Sequence, residues 1–237
     1  MTNNHHHIFR FRHFRLYNGG GLKVNTDSVL LGAWARHPAP LRILDAGSGN
    51  GLLSLMMAVR YAEASVEGVE WAEEAVRLSR HNLALNPSLA PRIHFYHTAL
   101  ADHIPAAPYD IMMSNPPYYD ATPSPEALRN AARQNGRSFL EQLMRLAKRY
   151  LRPSGALFII WPAGRRHHLL DTGYTEGLYP AMEIQVADHP LAPFKRSLWK
   201  WVKDPARTYR QEKLILFDQH GRRTPAFDDL VKNWYIS

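Results

Sequence analysis

Leu41-Arg42-Ile43-Leu44-Asp45-Ala46-Gly47-Ser48-Gly49-Asn50-Gly51-Leu52-Leu53 is the stretch that decides the fold of this 237-residue chain. Leu41 to Asp45 is a short apolar run that closes on an acid, as a buried strand does when it reaches a sheet edge. Three glycines in five positions then allow a sharp turn and leave no β-carbon in the way of an approaching group. Leu52 to Tyr61 carries enough apolar residues for a helix. Strand, glycine turn and helix together make the opening of a βαβ unit.

The same alternation continues outward. Val66 to Glu70 reads as a second strand, and Ala72 to Leu85 as an amphipathic helix with Ala75, Val76, Leu78, Leu83 and Leu85 on its apolar side, stopped by Pro87. Ile93 to His97 and Ile111 to Met113 are further short strands. Phe139, Leu140, Leu143, Met144, Ala147 and Leu151 follow helical spacing before Pro153 and Gly155, and Ala156 to Trp161 returns to strand. Strands and helices in alternation predict an α/β fold, a mainly parallel sheet covered on both faces. From Met182 the pattern changes: Met182 to Val186, Ser197 to Val202 and Lys213 to Phe217 are all extended, with no strong helix between the last two, which predicts an antiparallel C-terminal edge. No repeat or linker divides the chain, so one domain over 1–237 is expected, with 1–22 as an N-terminal arm.

Composition narrows the class. With no cysteine the chain has no disulfide, thiolate metal site or cysteine nucleophile, and it is compatible with a reducing cytoplasm. Met1 to Arg15 is polar and basic where a secretory signal needs an apolar run, and no stretch is long and apolar enough to span a bilayer. The reading is therefore cytoplasmic, without a membrane partner. A net charge of +8 and a pI near 9.8 point to a polyanionic partner, of which nucleic acid is the commonest. Histidines 5 to 7 lack supporting carboxylates or a second histidine pair, so no metal is expected.

Two motifs carry chemistry. The first joins the turn Asp45-Ala46-Gly47-Ser48-Gly49 to Glu70, an acid ending the next strand at about the spacing where dinucleotide folds place the carboxylate that grips ribose hydroxyls. A glycine turn alone is also compatible with a purely structural role. The second is Ser114-Asn115-Pro116-Pro117-Tyr118-Tyr119, directly after the strand Ile111 to Met113. An amino group conjugated to a ring is a poor nucleophile because its lone pair is delocalised. Two acceptors aimed at its hydrogens orient the nitrogen and stabilise the charge it gains as an electrophile arrives. The Asn115 side-chain oxygen and the Pro116 carbonyl are candidate acceptors, the prolines fix the backbone that aims them, and Tyr118 offers a stacking face. The bland alternative has Pro116-Pro117 ending a strand and Tyr118 filling the core.

The glycine turn, which is not the Gly-x-Gly-x-x-Gly of nicotinamide folds, resembles the first motif of class I S-adenosylmethionine-dependent methyltransferases. Asn115 to Tyr118 resembles the Asn-Pro-Pro-Tyr motif of those that methylate planar amino groups. Adding Phe9-Arg10-Phe11-Arg12-His13-Phe14 and Lys23-Val24-Asn25-Thr26-Asp27-Ser28-Val29-Leu30-Leu31-Gly32-Ala33-Trp34, the chain resembles the bacterial tRNA1(Val) (adenine-37-N6)-methyltransferase family, well in its first half and loosely in its second. The resemblance implies a Rossmann-like class I fold with a seven-stranded sheet, S-adenosyl-L-methionine as cofactor and tRNA as substrate. It implies that Asp45, Ala46, Gly47, Ser48 and Gly49 lie under the methionine part of the cofactor, with Glu70 on the ribose and Asn115 beside the methyl group. Lys23 to Asp27 is implied to pass beside the cofactor, with Thr26 in contact, and Thr26-Asp27 also reads as a helix N-cap. Ala99 and Leu100 stand where the family often has an acid near the adenine, which leaves backbone groups or Asp102 for that role. Basic elements Arg129, Arg133, Lys195 and Arg196 match in position. Arg10 and Arg12 belong either to an RNA-contacting arm or to an edge strand whose Phe9 and Phe11 pack inward. The same motif serves guanine N2 in ribosomal RNA and glutamine in release factors, and an inert RNA-binding module is the reading from another class. Nothing in the residues calls for an oligomer, and a monomer is expected.

Overall fold

The computed structural model of the protein describes residues 8–17, 24–116 and 138–236. Lys23, Pro117, Tyr118, Arg129 and Arg133 lie outside the described residues. In chain order the elements are β1 (Ile8–Arg10), β2 (Arg15–Tyr17), α1 (Thr26–Trp34), β3 (Arg42–Ala46), α2 (Leu52–Arg60), β4 (Ser65–Glu70), α3 (Glu73–Ala84), β5 (Ile93–His97), β6 (Tyr109–Ser114), α4 (Phe139–Tyr150), β7 (Leu151–Pro162), α5 (Arg166–Thr175), β8 (Tyr179–Ala187), β9 (Arg196–Val202), β10 (Arg210–Ile215) and α6 (Pro225–Val231).

Eight strands form one sheet in the order β5-β4-β3-β6-β7-β9-β8-β10. The pairs β5-β4, β4-β3, β3-β6, β6-β7 and β8-β10 are parallel, and β9 runs against both β7 and β8. Alternation along the strands feeds two apolar layers. Ile43, Ile111, Met113, Phe158 and Ile160 join Val29, Leu30, Leu55, Met56 and Phe227 on one face. Leu44, Met112, Leu157, Ile159 and Trp161 join Leu140, Leu143, Met144 and Leu169 on the other.

The sheet departs from expectation at its C-terminal end. Among the described residues it has eight strands where seven were expected, and its edge strand β10 is parallel to its neighbour, because of these only β9 reverses. The chain turns back from β9 and passes to the far side of β8, so β10 shares the direction of β8 without a crossover helix. Helix α5 comes close to the sheet at a glycine: a β-carbon on Gly173 would stand 2.3 Å from the Trp201 ring.

At the N-terminus, β1 and β2 pair with each other as a separate hairpin. Phe11, Phe14 and Leu16 are buried, and Phe11 bridges to Tyr235. Asn86 accepts from the Arg15 backbone N–H at 2.9 Å and donates to the Arg15 carbonyl at 2.7 Å, which ties the hairpin to the end of α3. The inward-packing reading of the aromatics holds, in a hairpin of its own, while Arg10 and Arg12 are exposed.

Helix α1 is the element that reaches the site from outside the βαβ alternation, and both its ends are fastened. Asn25, one residue before the expected cap, accepts from the Ser28 N–H at 2.7 Å. Asn25-Thr26-Asp27 are three cap-forming residues in a row, so only the direction of the side chain decides among them. At the other end the Arg60 guanidinium donates to the carbonyls of Gly32, Ala33 and Ala35 at 2.6–2.9 Å.

Candidate active site

The C-terminal ends of β3, β4 and β6 meet the first turn of α1 around one cavity of about 540 Å³. Its wall includes Gly47, Ser48, Gly49, Glu70, Trp71, Asn115 and Pro116, with Asn25, Asp27 and Ser28 on the side of α1 and Phe139 on the side of α4.

The glycine turn is held by its neighbours. Gly47 and Ser48 donate to the Val69 carbonyl at 2.8 and 3.1 Å, and Asn82 donates to the Asn50 carbonyl at 2.8 Å. Gly47, Gly49 and Gly51 have φ of 72°, 53° and 82°, the left-handed region that favours glycine. A β-carbon on Gly49 would meet nothing within 4 Å, so this backbone faces open space in which a ligand can approach. Glu70 accepts from the N–H groups of Gly49 at 3.1 Å and Ala72 at 2.9 Å, which fixes its carboxylate at the cavity wall. Ser48, also in the wall, has a buried hydroxyl oxygen with no hydrogen-bond partner. Such a group is stabilised by a polar ligand rather than by an empty cleft.

Asp45 stands behind the turn and does not line the cavity. It is fully buried and accepts from the N–H and hydroxyl of Ser54 at 3.0 and 2.7 Å. Burial pushes its carboxyl up to about 7, the two Ser54 bonds oppose this, and the Glu70 charge adds to it. Ala46 binds the turn to the next strand through its carbonyl, which accepts from the Ser114 hydroxyl at 2.7 Å. That bond places Asn115 and Pro116 beside the glycine turn.

Not every expected residue reaches the cavity. Thr26 is exposed in the first turn of α1, whereas its neighbours Asn25 and Asp27 line the wall. Leu100 is buried in the apolar layer of α4 and Ala99 is half-buried, and neither lines the cavity. Arg196 lies 2.7 Å from Asp27 and 3.0 Å from Asp188, so its guanidinium is held between two carboxylates, and Lys195 also pairs with Asp188 at 3.0 Å. Trp71, Phe139, Asn25 and Ser28 were not singled out by the sequence. Trp71 had the best signal, as a large aromatic directly after the acid that ends β4, and it is 36% exposed against the cavity.

Residues 23–172 match the model of the methyltransferase small domain family. Among solved structures, the chain is similar to a predicted O-methyltransferase from Agrobacterium tumefaciens, with a TM-score of 0.68 at 22% identity over 88% of this chain and 96% of that one. It is also similar to a glycopeptide N-methyltransferase complexed with S-adenosyl-L-methionine, with a TM-score of 0.57 at 10% identity over 78% and 99%. Fold and site therefore define a class I S-adenosylmethionine-dependent methyltransferase. The chain is 34% identical over 232 residues to the tRNA1(Val) (adenine(37)-N6)-methyltransferase of Parabacteroides distasonis, covering 96% of this chain and 97% of that protein. It is 31% identical over 233 residues to the enzyme of the same name from Pedobacter heparinus, covering 97% and 98%. It belongs to the tRNA1(Val) (adenine(37)-N6)-methyltransferase family.

Proposed function

We propose that this protein transfers the methyl group of S-adenosylmethionine to the exocyclic N6 of an adenine in tRNA, adenine 37 of tRNA1(Val), and that it acts as a cytoplasmic monomer. The observation that carries the reading is Asn115 and Pro116 at the wall of the same cavity as the glycine turn and Glu70, so acceptors for an amino group and a cradle for the cofactor share one space.

The residues present fit that cofactor. Glu70 would accept from the ribose hydroxyls, Gly47 to Gly49 would let the methionine part approach the backbone, and Trp71 would offer a flat apolar face to the adenine. Bound S-adenosylmethionine would supply an electrophilic methyl carbon for the N6 lone pair, with S-adenosylhomocysteine as the leaving product. Asn115 through Oδ1 and Pro116 through its carbonyl accept from the two N6 hydrogens and stabilise the positive charge as it forms on nitrogen. No residue is required as a strong base, since the methylated nitrogen loses its proton readily to water. Reaching the cavity requires the adenine to leave its stack; Pro117 and Tyr118, which continue the motif in sequence, lie outside the described residues.

The exposed Arg10, Arg12 and Lys195 are the cations assigned to RNA phosphates, together with Arg129 and Arg133 outside the described residues. Among the described residues, no group of three or more His, Asp or Glu is placed to hold a metal, and no helix is long and apolar enough to cross a membrane. The test is incubation with labelled S-adenosylmethionine and unmodified total tRNA, followed by nucleoside mass spectrometry. N6-methyladenosine in one valine tRNA is expected. Label in ribosomal guanine or in release-factor glutamine moves the target, and retained turnover in Asn115→Ala removes the mechanism.

A further inference from the structure

We propose that Asn25 and Ser28, in the first turn of α1, are positioning residues that decide which end of the Asn115 amide faces the substrate. This rests on the reading of Asn115 as the acceptor for the amino group.

A side-chain amide has nearly the same shape in its two orientations, but one end accepts and the other donates. Facing an amino group, the orientations are chemical opposites: Oδ1 accepts its hydrogen, whereas Nδ2 presents donor to donor. The chain's own hydrogen bonds fix the choice. The Ser28 backbone N–H is only a donor, and it points at the Asn25 side chain 2.7 Å away, so the Asn25 atom there is the oxygen. The Asn115 amide stands 3.3 Å from that same oxygen and therefore presents its nitrogen, which also donates to the Ser28 hydroxyl at 2.9 Å. Reversing the Asn115 amide would bring two carbonyl oxygens together at 3.3 Å. Asn115 Oδ1 is thus turned away from α1.

The two residues divide the task. A hydroxyl donates or accepts, so Ser28 anchors the amide without choosing its direction, and its burial, at 8% exposed, limits competition from water. Asn25 has its polarity imposed by the helix cap and makes the choice. The orientation of a catalytic side chain is thus written by the geometry of a helix N-terminus 90 residues earlier in the chain. The turn is braced in its turn by Asp27, 2.7 Å from Arg196 at the start of β9.

The experiment measures kcat, KM for unmodified tRNA and cofactor affinity for the full chain and its Ser28→Ala, Ser28→Thr, Asn25→Asp, Asn115→Ala and Ser28→Ala/Asn115→Ala variants, with single-turnover assays at high enzyme for the slowest. Alanine is the best helix former and aspartate retains the cap, so Ser28→Ala and Asn25→Asp are expected to fold, and cofactor binding within twofold of wild type verifies it. Ser28→Ala is expected to lower kcat about tenfold or more with KM little changed. Ser28→Thr and Asn25→Asp, which keep the acceptors, retain most of the rate. The double variant is no slower than Asn115→Ala alone, because Ser28 acts through Asn115. Unchanged kcat in Ser28→Ala, or a further loss when it is added to Asn115→Ala, overturns the inference while leaving the catalytic role of Asn115 intact. Full turnover in Asn115→Ala overturns that role and this inference with it.

Discussion

Asp45→Asn separates the stability cost of the site from the rest of the fold. The carboxyl has no access to solvent and its pKa rises from 3.8 to about 7, chiefly through burial. Between those values the unfolded chain has lost this proton and the folded chain keeps it, so the group makes stability fall as pH rises, until the folded carboxyl also ionises near pH 7. A shift of this size corresponds to roughly 4 kcal/mol once both states are ionised, more than half of it lost between pH 5 and pH 8. Asparagine keeps an oxygen for the two Ser54 donors and has no proton to lose. The assay is urea unfolding of both proteins without cofactor at pH 5, 6, 7 and 8. Other titrating groups are common to both, so the difference isolates Asp45. The variant is expected to gain on the wild type steadily from pH 5 to 7 and to level off by pH 8. Two parallel stability profiles would refute the reasoning, since they would mean that the carboxyl titrates alike in the folded and unfolded chain.

The other expectations use single substitutions. Gly49→Ala costs about 1 kcal/mol of stability because φ is 53°, and it weakens cofactor binding about tenfold in calorimetric titration, since its new β-carbon enters the space open to the ligand. Trp71→Ala removes the apolar face at the wall and weakens cofactor binding about tenfold, with loss of most of the ligand-induced change in tryptophan fluorescence. Arg60→Met uncaps the C-terminal end of α1 and lowers unfolding free energy by about 3 kcal/mol in urea titration. Arg196→Gln frees Asp27 and lowers kcat while KM for tRNA keeps its salt dependence; a shallower salt slope would instead assign this guanidinium to an RNA phosphate.

The sequence revealed those parts of the molecule whose signals are local. Leu41 to Leu53 became β3, its turn and α2, Ile93 to His97 became β5, and the spacing of Leu140, Leu143, Met144 and Ala147 became the buried side of α4. Each is a pattern readable within a dozen residues. Glu70 and Asn115 were legible for the same reason, as polar residues ending apolar strands at one edge of a sheet. The direction of β10 was not legible, because it depends on which side of β8 the returning chain passes, and no residue between Val202 and Arg210 records that choice. At Leu100, beyond the third strand of the alternation, the side chain turns into the apolar layer, which leaves the role read for this segment to its backbone groups or to Asp102.

The residues that were missed share a cause. Asn25 and Ser28 look like ordinary cap and first-turn residues, and they are; their second use appears only when α1 is laid across the end of β6. That placement is fixed far from the site, by Arg60 on the carbonyls at the other end of α1 and by Trp34 set edge-on against Phe158 in the core, with ring centroids 5.4 Å apart. A cap needs an acceptor aimed at a backbone N–H, and the Asn115 amide needs an acceptor of fixed polarity, so one oxygen meets both demands. In isolation Asp27 is as good a cap as Asn25, and Thr26 a somewhat weaker one. A cap at either would take the Ser28 N–H away from the Asn25 oxygen, and with it the imposed polarity that the Asn115 amide meets there.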